Sequence, residues 1–366
     1  MGGNFEKLTD GIVFLLPTNV CNLKCEGCCT SLAREVKDQE LSLEQYKELI
    51  AKCNENGYHT FDISGGEPFF RKDLIQILEC IKSNKENRTI MVTNGTTQVF
   101  SDEELIKVLE LTDTLRVSID SHRADEHNRL RGMENAFEKS TQFLKKILRL
   151  KQENPERIQT EIGINYIWRS VDSNQLISIY QLANELKVDH LEALKYINFT
   201  GIHKENRSEG IFRSLSELVS RWKEQGPTVS VNLPSFMYKD YSAWRKQNKS
   251  NSILVRFDAL GGCSRHLNNI VISALGQQSL CVTMLNFKEL RNDTSWKNQG
   301  EVKFDLSEIK ERLKQREAML ASKEPCKSCE VFMYCRGGCP VESLASGGSL
   351  DSIPAYCTQK SQNGGG

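Results

Sequence analysis

Three cysteines near the start of the chain have the side chains and the spacing for metal chemistry. Cys21, Cys25 and Cys28 are separated by three and two residues and follow an apolar run at residues 12–16. The run predicts a short buried strand, so the cysteines lie on the loop that leaves it. Three thiolates can hold three irons of a 4Fe-4S cluster and leave the fourth iron open to a substrate or cofactor. The alternative is zinc, although zinc sites usually take four ligands from paired cysteines.

A second group of cysteines lies toward the end of the chain. It consists of Cys263, Cys281, Cys326, Cys329, Cys335, Cys339 and Cys357. A zinc ribbon does not explain the isolated Cys357 or the short unit from Gly276 to Cys281. In a chain of this length, clustered cysteines favour metal binding over a disulfide framework.

The composition is that of an ordinary folded chain. It has 366 residues, of which 39 % are apolar and 26 % charged, and its formal net charge is zero. The length gives room for a large core and predicts two domains. No basic excess points to nucleic acid or an anionic membrane, and no apolar run reaches the length of a membrane span. The thirteen cysteines, an odd number, and the lack of a signal peptide favour a reducing cytoplasm.

Helix and strand patterns alternate between Gly11 and about Lys223. They predict six strand–helix units, which imply an α/β fold with a parallel sheet and helices outside it. Six units suit a partial (β/α)6 barrel, since a complete barrel has eight. In such a fold, functional residues are expected on the loops that follow the carboxyl ends of the strands.

Capping signals mark the starts of three predicted helices. Ser42 with Gln45 and Ser101 with Glu104 form capping boxes, in which each side chain satisfies a backbone N–H at the helix start. Asp73 is expected to cap the helix that lies between these two in the chain.

Polar and glycine-rich segments follow four of the predicted strands. The cysteine triad follows the first strand and the segment Ser-Gly-Gly-Glu-Pro at residues 64–68 follows the second. Asn94-Gly95 follows the third strand and Asp120 follows the fourth. The chemically suited residues therefore fall at the edge where the fold predicts a functional site.

The spacing of Cys21, Cys25 and Cys28 resembles the signature of the radical S-adenosylmethionine (radical SAM) enzymes. The seven C-terminal cysteines resemble the complete pattern of the SPASM subgroup of that family. The resemblance implies a partial TIM-like barrel followed by a small cysteine-rich domain. It also implies that the triad holds a 4Fe-4S cluster, whose open iron is chelated by the amino and carboxylate groups of S-adenosylmethionine.

The same resemblance implies a set of cofactor contacts. Residues 65–68 match the GGEP motif of the family, in which the backbone and Glu67 contact the amino group of the cofactor. The matching residues are Gly65, Gly66, Glu67 and Pro68. Ser118 and Arg131 lie in a segment that looks like the S-I-D…H-x-x-x-R-G pattern of SPASM enzymes. Ser118 is then a cofactor contact, and the guanidinium fork of Arg131 suits the carboxylate of the cofactor.

Two of these predictions have simpler alternatives. Asn94 resembles the family's turn after the third strand, but an ordinary turn explains it as well. Arg131 is alternatively one half of a surface ion pair. Asn165, in the fifth predicted strand, is expected to reach the adenosine of the cofactor.

The chain departs from the family pattern beside the third cysteine. Gly27 stands where the family often has an aromatic residue, so the packing around the cofactor is expected to differ. An extra cysteine, Cys29, follows directly and is expected to be structural. Two helix cysteines, Cys53 and Cys80, are expected to pack in the core.

The C-terminal pattern implies two auxiliary 4Fe-4S clusters, for a total of three clusters in the protein. The outer cluster would be held by Cys326, Cys329, Cys335 and Cys357, and the inner one by Cys263, Cys281 and Cys339. Residues 264–280 contain no cysteine, so the fourth ligand of the inner cluster is open. His266 is one candidate, and an iron that binds substrate or water is the other. Gly276 is expected to form a hairpin turn, and Gly337-Gly338 to let the chain wrap closely around a cluster.

These features divide the chain into four predicted parts. They are a partial barrel at 8–225, a linker at 226–260, a SPASM domain at 261–360 and a flexible tail at 361–366. Tyr238, Tyr241 and Trp244 lie in the predicted linker. Helix packing is the favoured role for these three aromatics, and a substrate channel is the alternative.

The resemblance implies reductive cleavage of S-adenosylmethionine to a 5′-deoxyadenosyl radical, which abstracts a hydrogen atom from the substrate. The leading hypothesis is maturation of a ribosomally made peptide by a thioether or carbon–carbon cross-link or by oxidation of a residue. The alternatives are oxidation of Ser or Cys to formylglycine, as in sulfatase maturation, a small-molecule dehydrogenase or epimerase, and a zinc-bound scaffold without enzymatic activity. The expected partners are a precursor peptide or protein and an electron donor such as flavodoxin or ferredoxin. Because only twenty residues precede Cys21, a separate leader-binding protein is a further expected partner.

Overall fold

One parallel sheet carries the residues predicted to form the site. The computed structural model describes residues 11–30, 40–169, 173–195, 208–221, 226–234, 237–248, 253–258, 268–293, 304–354 and 357. Within these ranges the sheet has ten strands in the order β10-β9-β1-β2-β3-β4-β5-β6-β7-β8. The strands are β1 (Ile12–Leu15), β2 (Thr60–Ile63), β3 (Arg88–Thr93), β4 (Thr114–Ser118), β5 (Glu161–Trp168), β6 (His190–Lys195), β7 (Thr228–Pro234), β8 (Ile253–Asp258), β9 (Ile270–Ile272) and β10 (Gln278–Ser279).

Helices connect consecutive strands and cover one face of the sheet. They are α1 (Leu43–Glu55), α2 (Leu74–Lys82), α3 (Asp102–Glu110), α4 (Ala124–Arg131), α5 (Ala136–Glu153), α6 (Ser173–Leu186), α7 (Ser208–Arg221), α8 (Tyr238–Gln247), α9 (Ser307–Ala321), α10 (Phe332–Cys335) and α11 (Pro340–Ala345). Alternate strand residues such as Phe61 and Ile63 are fully buried in the core, whereas their neighbours Thr60 and Asp62 are partly exposed. The other face of the sheet is therefore the more open and polar one.

Two of the three predicted helix caps are confirmed. Ser42 with Gln45 and Ser101 with Glu104 form reciprocal capping boxes at the starts of α1 and α3. The prediction for Asp73 is wrong. Its side chain makes no capping hydrogen bond and instead forms an ion pair of 2.5 Å with Arg71. A charge-assisted hydrogen bond to guanidinium is stronger than one to a neutral backbone N–H.

The sheet extends beyond the six predicted units at both ends. Strands β7 and β8 and helix α8 occupy residues predicted as a linker, and β7 pairs in parallel with both β6 and β8. On the other side, β9 from the C-terminal region pairs in parallel with β1, and β10 turns back against it. The sheet is open, because β10 and β8 are its edges. The boundaries proposed for the domains remain predictions.

Contacts from the C-terminal region reach both ends of the sheet. Lys195 at the end of β6 forms a buried ion pair of 3.0 Å with Glu342 of α11. Tyr238 of α8 stacks on Tyr334 of α10 with ring centroids 4.3 Å apart. Trp244 of α8 is buried beside the ring of Phe212, so its predicted role in helix packing is confirmed. No helix in the described ranges has the length and apolar character needed to cross a membrane.

Candidate active site at the carboxyl edge of the sheet

The cysteine triad lies on the loop after β1 and is held by the end of α4. The backbone N–H of Glu26 donates to the carbonyl oxygen of Leu130 at 2.8 Å. Gly132 ends α4 with φ +66°, and a Cβ at this position would lie 2.6 Å from the carbonyl oxygen of Lys24. Only glycine fits both the left-handed conformation and this close approach. The loop that carries Cys25 is therefore positioned by a turn more than one hundred residues further along the chain.

Nitrogen donors face two of the three sulfurs. Arg131 Nη1 lies 3.9 Å from Cys25 Sγ, and Asn94 Nδ2 lies 3.8 Å from Cys21 Sγ. Burial raises the pKa of the Cys25 thiol, and the guanidinium of Arg131 opposes that rise. Donors and a cation beside a sulfur favour the thiolate, which is the form that binds metal.

The glycine pair after β2 packs directly against the cysteine loop. Gly65 has φ +105°, and a Cβ on Gly66 would lie 2.3 Å from the carbonyl oxygen of Val20. Thr30 Oγ1 donates to the carbonyl oxygen of Gly65 at 3.3 Å and lies 3.5 Å from Cys28 Sγ. The predicted close backbone approach at Gly65-Gly66 is thus present, and it brings this turn next to the cysteines.

Glu67 joins the loops after β2 and β3. Its side chain is 1 % exposed and accepts hydrogen bonds from Thr93 Oγ1 at 2.7 Å and from the backbone N–H of Asn94 at 2.8 Å. Burial raises the pKa of this carboxyl group to about 7, and these hydrogen bonds oppose the rise. Pro68 follows and begins a short 3-10 helix, Pro68–Phe70. The carboxylate therefore fixes Asn94 beside Cys21, and its predicted contact with the cofactor stays a prediction.

Ser118 and Asn165 are neighbours across two strands. They are register partners on β4 and β5, so their side chains share one face of the sheet. Asn165 is 6 % exposed, and its Oδ1 is buried without a hydrogen-bond partner in the described part of the chain. A buried acceptor without a partner is costly unless a ligand supplies the donor.

Arg131 is not part of a surface ion pair, so that alternative is wrong. The guanidinium is 9 % exposed, and its Nε lies 3.0 Å from Asp120 Oδ2, the carboxylate at the end of β4. Its Nη2 is buried and has no hydrogen-bond partner among the described residues. This donor next to Cys25 fits the carboxylate of a ligand, as Asn165 Oδ1 fits a ligand N–H or O–H.

Two residues around Arg131 were not predicted as part of the site. The sequence places Asp120 at the expected functional edge but assigns it no role, and it includes His127 only as the histidine of the S-I-D…H-x-x-x-R-G pattern. His127 Nδ1 accepts a hydrogen bond from the backbone N–H of Asp120 at 3.1 Å, and burial lowers the pKa of His127 to about 4. The imidazole is thus neutral near pH 7 and orients Asp120 toward Arg131. The only sequence signal for this contact is that Asp120 and His127 lie seven residues apart. That spacing does not predict a hydrogen bond unless the geometry of the turn between them is known.

The C-terminal cysteines are only partly described. Burial, together with the neighbouring thiols of Cys329 and Cys357, raises the pKa of the Cys326 and Cys335 thiols to about 11. The four predicted ligands of the outer cluster therefore lie within electrostatic reach of one another. Cys281 follows β10 with its Sγ 3.2 Å from Thr283 Oγ1, and Cys339 precedes α11.

Two predicted residues of the inner cluster, Cys263 and His266, lie outside the described residues. Within the described ranges, no three His, Cys, Asp or Glu side chains converge closely enough to share a single metal ion. Each thiolate of a four-iron cluster binds a different iron, so its sulfurs need not converge on one point.

The fold and the site define a class of protein, namely an α/β protein with a cysteine triad and buried ligand-binding atoms at the carboxyl edge of a parallel sheet. Residues 15–167 match the model of the Radical SAM superfamily. These residues therefore form a radical SAM domain, and the predicted resemblance to a radical SAM enzyme of the SPASM subgroup is confirmed.

Curated relatives match nearly the whole chain. The PqqA peptide cyclase of Bradyrhizobium diazoefficiens is 25 % identical over 359 residues, which are 94 % of this chain and 85 % of the relative. The AdoMet-dependent heme synthase of Methanosarcina barkeri is 25 % identical over 355 residues, which are 92 % of this chain and 93 % of the relative.

Among solved structures, the fold is similar to that of Streptococcus suis SuiB bound to S-adenosylmethionine. The TM-score is 0.65 at 16 % identity, and the match covers 95 % of this chain and 76 % of SuiB. The structure of anSMEcpe with bound AdoMet gives a TM-score of 0.59 at 18 % identity, with 96 % of this chain and 95 % of that chain covered. These likenesses confirm the predicted fold class, with an open sheet and a cysteine-rich C-terminal region.

Proposed function

We propose that this radical SAM enzyme modifies a ribosomally made precursor peptide, by a thioether or carbon–carbon cross-link or by oxidation of a residue. The observation that carries the proposal is the likeness to a peptide cyclase over 94 % of this chain. The site is compatible with that chemistry, because its cysteines and its buried ligand-binding atoms lie on one edge of an open sheet.

In this proposal Cys21, Cys25 and Cys28 hold the cluster that binds S-adenosylmethionine. When bound, the cluster and cofactor supply a 5′-deoxyadenosyl radical that abstracts a hydrogen atom from the substrate. The protein residues bind the cofactor and orient it. The Nη2 of Arg131 donates to the cofactor carboxylate, and the backbone of the Gly65-Gly66 turn contacts its amino group.

Other residues hold these contacts in place. Asn165 and Ser118 contact the adenosine from the face of the sheet that they share. Asp120 keeps Arg131 beside Cys25, since the two form a buried ion pair. Glu67 keeps Asn94 beside Cys21 through the backbone N–H of Asn94. Positioning of this kind lets the reactive carbon of the cofactor meet one hydrogen of the substrate while water is kept out.

The C-terminal cysteines hold two auxiliary 4Fe-4S clusters in the proposal, as the sequence pattern implies. Cys326, Cys329, Cys335 and Cys357 bind the outer cluster, and Cys263, Cys281 and Cys339 bind the inner one. Clusters held by these cysteines would supply an acceptor for the electron released when the product is oxidised, or a binding site for the substrate. Flavodoxin or ferredoxin supplies electrons to the first cluster, and a separate leader-binding protein presents the precursor.

The test is a mass measurement on peptides. The reconstituted full chain is incubated anaerobically with S-adenosylmethionine, a reductant and short peptides encoded beside its gene. A cross-link removes two hydrogen atoms from the peptide, so its mass falls by that amount, with 5′-deoxyadenosine formed alongside. The matched control is Cys25→Ser, which lacks one cluster ligand and leaves the peptide unchanged.

A small-molecule substrate is the second candidate, because the likeness to the heme synthase covers 93 % of that relative. Modification of a tetrapyrrole, with every precursor peptide unchanged, would replace the proposal with this candidate. An aldehyde in a sulfatase-derived peptide would instead indicate formylglycine formation.

A further inference from the structure

One buried guanidinium holds the segment that lies between Cys335 and Cys357. Arg316 of α9 is 2 % exposed. Its Nε donates to the carbonyl oxygen of Leu350 at 2.7 Å, and its Nη2 donates to that of Gly337 at 2.8 Å. Its other contacts are Nη1 with Gly338 O at 3.2 Å, and Nη2 with Ser352 O at 3.2 Å and Ser343 Oγ at 3.5 Å.

These contacts satisfy the N–H groups of Arg316 but do not neutralise its charge. All the acceptors are carbonyl or hydroxyl oxygens, and no carboxylate in the described ranges forms an ion pair with Arg316. A buried cation without a countercharge is costly. Two of its acceptors, the carbonyl oxygens of Gly337 and Gly338, lie between Cys335 and Cys339 in the chain, so the guanidinium lies beside the cysteine group. The natural countercharge of Arg316 is therefore the four-cysteine group itself.

The guanidinium also acts on Cys335 through a peptide group. Gly337 and Gly338 have φ of +84° and +74°, and the N–H group of Gly338 donates to the carbonyl oxygen of Cys335 at 2.9 Å. The carbonyl of Gly337 and the N–H of Gly338 belong to one peptide group. Arg316 thus donates to the oxygen end of a dipole whose hydrogen end points at Cys335. Hydrogen bonds in such a chain polarise one another.

We propose that Arg316 is a positioning residue that raises the reduction potential of the outer auxiliary cluster. It does so by holding the backbone of Gly337 and Gly338 next to Cys335 and by placing one uncompensated positive charge beside the cluster. Hydrogen bonds to sulfur and net charge both set the potential of a four-iron cluster. The inference rests on the outer-cluster assignment made in the proposed function.

The test is a redox titration of the reconstituted full chain, followed by electron paramagnetic resonance. In Arg316→Gln, one of the cluster midpoints is expected to fall, so that the reduced-to-oxidised ratio of that cluster at a fixed potential drops at least tenfold. Tenfold corresponds to about 59 mV for a one-electron couple. The other midpoints stay at their wild-type values. Arg316→Lys keeps the charge but cannot hold several carbonyls at once, so its shift has the same direction and is smaller.

The matched control is Arg312→Gln on the same helix. Arg312 is exposed and donates to Glu308 Oε1 at 2.6 Å and to the carbonyl oxygen of Glu289 at 3.1 Å. Its loss leaves every midpoint unchanged. Wild-type midpoints in the Arg316→Gln variant with full iron content would overturn the proposal. If that variant does not hold its iron, the same result in Arg316→Lys overturns it.

A failure of the proposal for Arg316 can be distinguished from a failure of the proposed function. Wild-type protein with no outer cluster would overturn the role of Arg316. A fully loaded enzyme that leaves all peptides unchanged would overturn only the peptide substrate.

Discussion

Among single residues, the nearby hydrogen bonds and positive charges of two buried carboxyl groups do not offset the cost of burying their charge. Burial raises the pKa of Glu67 to about 7, although three hydrogen-bond donors oppose the rise. Burial also raises the pKa of Asp62, on the open face of the sheet, to about 6, with Arg116 lowering it and Glu192 raising it. Uncompensated charge of this kind is a cost to folding that proteins accept mainly near functional sites.

The Asp62 shift predicts a dependence of stability on pH. Its folded-state pKa is raised from 3.8 to about 6, so the folded state binds more protons than the unfolded state between these values. The free energy of unfolding therefore falls as pH rises through this window. Asp62→Asn removes the effect and should gain stability relative to wild type by on the order of 2 kcal/mol between pH 4 and pH 7. Urea unfolding of both proteins across this range measures the difference.

Asp102 provides a control with the opposite sign. It is exposed, and a hydrogen bond from Lys146 lowers its pKa. Asp102→Asn should therefore lose stability relative to wild type as pH rises toward the unfolded pKa of 3.8, with little further change between pH 4 and pH 7. A constant difference between Asp62→Asn and wild type at every pH would contradict the environment described for Asp62.

Among elements, the end of α4 decides where the first cysteine loop lies. Gly132 takes a left-handed conformation in contact with Lys24, and the residue before it, Arg131, faces Cys25. This turn thus positions both the loop that carries the triad and the guanidinium of Arg131 beside it. Helix ends of this type need glycine because other residues are strained at positive φ.

Gly132→Ala is predicted to weaken the first cluster. The added methyl group adds a clash with the carbonyl of Lys24 to the backbone strain of about 1 kcal/mol. The cysteine loop must shift, so the variant should lose about four irons per chain and form little 5′-deoxyadenosine. Iron analysis and product quantification test this.

Gly57→Ala is the matched control for that variant. Gly57 has φ +78° at the end of α1, and a Cβ there would meet nothing within 4 Å. It carries the same backbone strain without a neighbour, so iron content should stay at the wild-type level. Equal iron in both variants would show that Gly132 does not position the cysteine loop.

At the scale of the whole molecule, a buried charge pair joins α11 of the C-terminal region to β6 of the sheet. Lys195 Nζ donates to both oxygens of Glu342, at 3.0 and 3.2 Å, and both side chains are more than nine-tenths buried. Glu342 lies three residues after Cys339, a predicted cluster ligand. The pair therefore couples the position of that cysteine to the sixth strand.

Substituting one residue of the Lys195–Glu342 pair should lower the free energy of unfolding strongly, and substituting both should lower it much less. Lys195→Met or Glu342→Met alone leaves a buried charge without its partner and should lower the free energy of unfolding by about 3 to 5 kcal/mol. The double variant should recover most of that loss. A double-mutant cycle by chemical denaturation measures the coupling. The exposed pair of Lys239 and Glu330, which also joins α8 to the C-terminal region, should show little or no coupling because solvent screens it.

The sequence predicts those elements that depend on residues close together in the chain. The order of the first six strands, both capping boxes and the placement of the glycine turn follow from periodicity and residue type. Strands β7 and β8 were missed because the open face of the sheet is polar. Residues such as Ser230 and Asn232 on β7 therefore resemble those of a linker.

Contacts between distant segments were beyond prediction. The register that puts Asn165 beside Ser118 and the fold that buries Arg131 against Asp120 depend on packing of the whole sheet. The same holds for Arg316, whose acceptors lie 21 to 36 residues away. Asp73 failed as a cap because Arg71, two residues earlier, competes for its carboxylate.

The most direct test of the account is the iron, sulfide and zinc content of the anaerobically reconstituted full chain. The account predicts about twelve irons per chain, with equal sulfide and no zinc, for three four-iron clusters. About four irons would contradict the two auxiliary clusters and leave only the radical SAM centre. Zinc in the C-terminal cysteines would contradict the proposed roles of Cys326, Cys339 and Arg316 together.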